Sequence, residues 1–90
     1  MTITRNEATA LVQSTVNQLA SAAGDVFLIQ PEFTVEVANG WVFFYNSEEF
    51  VRTGEPSAAL AGNGPIFVTL EGKVHALATH TSWEKQLASL

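Results

Sequence analysis

Apolar residues recur at Ala8, Leu11, Val12, Val16, Leu19 and Ala20, while Gln13, Asn17 and Gln18 fall on other faces. Spacings of three and four are the period of an α-helix with one stripe turned to a core. Thr4-Arg5-Asn6-Glu7 has the form of a capping box, in which the Thr hydroxyl accepts from an early backbone N–H and Glu7 reaches back to the cap. Gly24 is placed to end the helix as a left-handed cap. The pattern therefore predicts an amphipathic helix from Thr4 to Gly24.

Beyond Gly24 the period changes. Val26 to Ile29 are apolar, Pro31 interrupts, and Phe33, Val35 and Val37 alternate with Thr34 and Glu36, the signature of a half-buried strand. Asn39-Gly40 is a favoured two-residue hairpin turn, because both residues tolerate positive φ. It leads into a strand from Trp41 to Asn46. There Trp41, Phe43 and Tyr45 point one way and Val42 and Phe44 the other, so both faces are apolar and the strand is expected to be central.

The segment from Ser47 to Pro65 is less regular. It predicts a strand end, a turn at Thr53 to Pro56 and a helical turn around Ser57 to Ala61. Ile66 to Leu70, Glu71-Gly72 and Lys73 to Leu77 read as a second hairpin. Thr81-Ser82-Trp83-Glu84 can cap a short terminal helix ending near Leu90, with Trp83 and Leu87 at i and i+4 on its buried side. The whole reads as α+β: the N-terminal helix on an antiparallel sheet of about four to five strands, then a short C-terminal helix. Ninety residues, 47% of them hydrophobic, are expected to form one domain, residues 1–90.

Charge narrows the partners. Nine acids against four bases give a net charge of -5, and Arg5, Arg52, Lys73 and Lys85 are scattered along the chain. Binding to nucleic acid or to an anionic membrane surface needs a cationic face, so neither is expected. Cysteine is absent, which removes disulfides and thiolate metal sites and fits a reducing compartment. No cationic stretch followed by an unbroken apolar run opens the chain, and the expected location is cytoplasmic.

Candidate chemistry is sparse. The turn Gly62-Asn63-Gly64-Pro65 resembles a phosphate-binding loop only in its glycines, since it lacks a Lys-Ser/Thr pair and leads into a strand rather than a helix. Its expected role is to aim the strand from Ile66. His75 and His80 lie at no diagnostic metal spacing, and no cofactor is expected. A hydrolase would need one of them beside a carboxylate or a serine such as Ser47, Ser57 or Ser82, and nothing local selects one. Glu48, Glu49 and Glu55 form an acidic cluster that is either a solvated face or one edge of an interface with a basic partner. Trp41 and Tyr45 belong to the core, or to an interface if exposed.

The pieces Gly40-Trp41-Val42-Phe43-Phe44-Tyr45, Ala59-Leu60-Ala61-Gly62-Asn63-Gly64-Pro65, the strand through Val74-His75 and the terminal helix follow one another within Gly40 to Leu90. Together they closely resemble the immunity protein 35 family, the YrhB-like domain of bacterial polymorphic toxin systems. The resemblance implies a small non-catalytic protein that binds a cognate toxin and occludes its active site. It also implies an alternative, a small chaperone-like holdase of unfolded clients. No catalytic residues come with it. Trp41, Tyr45, Glu48, Glu49, Glu55 and Asn63 are the candidate partner-binding residues.

Overall fold

The capping box at Thr4 forms as its sequence requires: the Thr4 hydroxyl accepts from the Glu7 N–H at 3.2 Å, and the Glu7 carboxylate accepts from the Thr4 N–H at 2.9 Å. In the computed structural model, which describes residues 1–60, 63–79 and 81–89, this cap starts helix α1 (Arg5–Ala23). Gly24 closes it at φ 68°. The buried stripe is narrower than the full apolar set. Ala8, Val12, Val16 and Ala20, each four residues apart, are sealed, whereas Leu11 and Leu19 stay 38% and 40% exposed. Small side chains on that line let the helix lie close to the strands beneath it.

Among the described residues six short strands follow: β1 (Phe27–Ile29), β2 (Val35–Val37), β3 (Gly40–Phe43), β4 (Tyr45–Ser47), β5 (Ile66–Thr69) and β6 (Val74–Ala76). They form an antiparallel four-stranded sheet in the order β2-β3-β5-β6 and a separate antiparallel pair, β1-β4. The single strand expected from Trp41 to Asn46 is thus divided between two sheets. Phe44 is the break, and its carbonyl accepts from the Gln30 N–H at 2.8 Å, beside the β1-β4 pair.

Both hairpins exist, each with its turn one residue earlier than the sequence predicts. Val37 pairs with Gly40, so the first turn is Ala38-Asn39 and Gly40 opens β3. A side chain at Gly40 would run into the Val68 carbonyl of β5, so the glycine serves the close approach of two strands rather than the turn. In the second hairpin the Gly72 N–H donates to the Thr69 carbonyl at 2.9 Å, which centres the turn on Leu70 and Glu71. The two turns are themselves joined, since the Leu70 N–H donates to the Asn39 carbonyl at 3.0 Å.

The segment expected to end a strand is instead a short helix, α2 (Glu48–Thr53), closed by Gly54 at φ 71° and followed by a single 3-10 turn over Pro56–Ala58. Helix α3 (Trp83–Ala88) starts at Ser82. Alternation sorts the core into two layers. Trp41, Phe43, Ile66 and Val68 meet α1 on one face, while Val42 and Phe67 meet Leu77, with Trp83 and Leu87 of α3 packed over them. The central strands β3 and β5 are therefore buried on both sides, as two apolar faces demand.

Candidate functional site

Ser47 organises the surface that carries the acidic cluster. It is the buried polar residue of the described chain, and its hydroxyl accepts from the Phe50 N–H at 3.1 Å to cap α2 while donating to the Ala58 carbonyl at 2.6 Å. Its neighbours reinforce the same junction. The Asn46 side-chain oxygen accepts from the N–H groups of Ser47 and Leu60, both at 2.8 Å, and the Asn63 amide donates to the Tyr45 carbonyl at 2.8 Å. Three successive residues of β4 thus hold the irregular chain around residues 56–60 and Asn63 in place.

Helix α2 is anchored at its other side by the Glu48 N–H, which donates to the Val26 carbonyl at 2.8 Å. Glu48 and Glu49 lie in the first turn, where the unsatisfied N–H groups favour negative charge. Glu48 also meets Arg52 one turn later at 3.5 Å, and the pair is largely solvated, so it contributes at most a few tenths of a kcal/mol. Glu55 accepts from the Ser57 hydroxyl at 3.2 Å. The outcome is an acidic strip, with Glu49 and Glu55 exposed, Glu48 half-buried, and exposed Val26 and Val51 beside them.

The other candidates sit elsewhere. Trp41 and Tyr45 are 6% and 8% exposed in the layer beneath α1, so their rings pack the core instead of presenting a surface. Tyr45 tilts against Phe27 at 5.8 Å, and burial pushes its phenol above the usual tyrosine value. Asn63 is half-buried and holds β4. Gly64 lies against β6's end, where a side chain would strike the Leu77 carbonyl, so the glycine-rich motif is built for close packing at that point. Ala61 and Gly62 of the same motif lie outside the described residues, as does His80.

The serines and His75 are placed for structure. Ser57 donates to Glu55, Ser82 accepts from the Lys85 N–H at 3.4 Å, and the His75 ring stacks on Phe67 at 5.9 Å. Among the described residues no group of three His, Asp or Glu could hold a metal ion, and no helix is long and apolar enough to cross a membrane. Sequence reading missed Asn46 and the capping role of Ser47. A serine before two glutamates was the available signal, since that is the form of a helix start.

The chain is 37% identical over 51 residues to the Escherichia coli (strain K12) protein recorded as "Uncharacterized protein YrhB", a match covering 56% of this chain and 54% of the relative. It thus spans about half the length of that curated relative. No solved structure gives a significant match. The model of the family described as Immunity protein 35 matches residues 6–88, from the first turn of α1 to the last residue of α3, and the chain belongs to that family.

Proposed function

We propose that this protein is an immunity protein that binds a cognate bacterial toxin in the cytoplasm and neutralises it by occluding its active site. The family match across residues 6–88 is the observation that supports the reading. The protein acts by binding, without a reaction of its own. A stable inhibitory complex buries about 1,600 Å² in total, roughly 800 Å² on each partner. The acidic strip of Glu48, Glu49 and Glu55 with Val26 and Val51 has the composition for part of such a surface: apolar contact bordered by charge that steers a basic partner.

Co-expression with the product of the neighbouring gene tests the proposal. The expected result is that the neighbour alone stops growth, and that the pair restores growth and co-purifies. A harmless neighbour, or a toxic one that is neither bound nor neutralised, overturns it. Protection of several unrelated heated clients in the absence of any cognate partner would favour a holdase instead.

A further inference from the structure

Strand β6 closes one side of the four-stranded sheet, and among the described residues no strand pairs with its far side. Its ladder with β5 fixes which backbone groups are free. The Thr69 N–H donates to the Lys73 carbonyl and the Leu77 N–H to the Pro65 carbonyl, both at 2.9 Å, and His75 pairs with Phe67 between them. Antiparallel pairing alternates, so residues 73, 75 and 77 turn their polar groups toward β5, while Val74, Ala76 and Ala78 turn theirs outward. At Ala78 the outward position is filled in an informative way. The Gln86 side-chain oxygen accepts from its N–H at 2.7 Å, and the Gln86 amide donates to its carbonyl at 2.8 Å, the two bonds a neighbouring strand would make. Among the described residues no side chain covers Val74 and Ala76 in this way as they continue the row, and both are exposed.

A groove of about 730 Å³ runs along this row between β6 and α3, lined by residues that include Val74, His75, Ala76, Gln86 and Lys85. Its charge is opposite to that of the chain. Among the described residues no carboxylate side chain lines it, Lys85 does, and Lys73 stands at the entrance to β6, whereas the protein as a whole carries -5. We propose that the β6 edge is a docking strand for an extended, acidic segment of a partner protein, which adds to the sheet beside Val74 and Ala76 and places its carboxylates by Lys85. Backbone pairing supplies affinity and the flanking side chains supply selection, as in other strand-addition sites. The same lysines disfavour pairing with a second copy, since two β6 strands related by a two-fold would bring four of them together. This edge is separate from the acidic strip, and the proposal holds whether or not the partner is a toxin.

Hydrogen exchange read amide by amide tests it with capped peptides of about eight residues. One alternates glutamate with valine and threonine, a second carries lysine for each glutamate, and a third has a central proline. The expected result is that the acidic peptide slows exchange at Val74 and Ala76 by about tenfold or more, and the other two do not. Ala76→Pro removes an outward N–H that β5 does not use, so the sheet is retained and the acidic peptide binds about fivefold more weakly or worse. Lys85→Glu, on the exposed side of α3, weakens it independently. Equal binding of the lysine peptide, no protection at these amides, or undiminished binding by both variants overturns the proposal. Protection that grows with protein concentration alone also overturns it, by assigning the edge to a second copy.

Discussion

The Asn63 side-chain amide donates to the Tyr45 carbonyl at 2.8 Å, joining two segments that lie 18 residues apart in the chain. One ends the aromatic run of β3 and β4, and the other opens the turn into β5. Asn63→Ala leaves a partly buried carbonyl unpaired, at a cost of about 1–2 kcal/mol. For a domain of this size that lowers Tm by roughly 4–16 °C in a thermal melt. Asn63→Asp, which cannot donate, loses as much.

Gly64 and Gly54 separate steric from conformational need. Gly64→Ala pushes a methyl into the Leu77 carbonyl and costs about 1–3 kcal/mol or more, because backbone has to move. Gly54→Ala meets no neighbour and only strains a residue at φ 71°, which costs about 1 kcal/mol. Denaturant titration of the two variants is expected to rank Gly64→Ala as the more damaging.

Helix α1 gives a matching contrast between adjacent apolar residues. Val12 is fully buried, and Val12→Ala is expected to cost about 2 kcal/mol from lost burial and the cavity left behind. Leu11→Ala removes a larger side chain from a more exposed site and costs under about 1 kcal/mol. Urea midpoints check the order, which hydrophobicity alone would reverse.

Tyr45 is the chain's one tyrosine, so its ionisation can be followed by absorbance without ambiguity. Burial raises its pKa in the folded state, so above pH 10 the unfolded chain releases the proton first. The stabilisation is fully present below the unfolded value near 10 and is lost as pH rises through the higher folded value. Unfolding experiments from pH 8 upward are expected to show this decline, and Tyr45→Phe removes the part of it that belongs to this phenol.

If the acidic strip steers a basic partner, Glu49→Lys with Glu55→Lys slows association by about tenfold at low salt and far less at high salt. Stopped-flow mixing with the partner measures it. Unchanged rates would exclude the strip from encounter while leaving a role for the β6 edge intact.

Local chemistry determined much of this protein. Thr4, Glu7 and Gly24 start and stop α1 through bonds within a few residues, and the alternation from Trp41 to Phe44 assigns each side chain to one of two cores, because successive strand residues face opposite sides. Partner strands were not legible there. Gly40 looked like a turn residue but answers to Val68, twenty-eight residues away in the chain, and Ser47 looked like a strand end until Phe50 and Ala58 defined its bonds. The burial of Trp41 and Tyr45, the division of one apolar run between two sheets, and the open row at Val74 and Ala76 were likewise decided by tertiary structure. Each depends on which distant backbone arrives alongside, a contact that sequence spacing does not record.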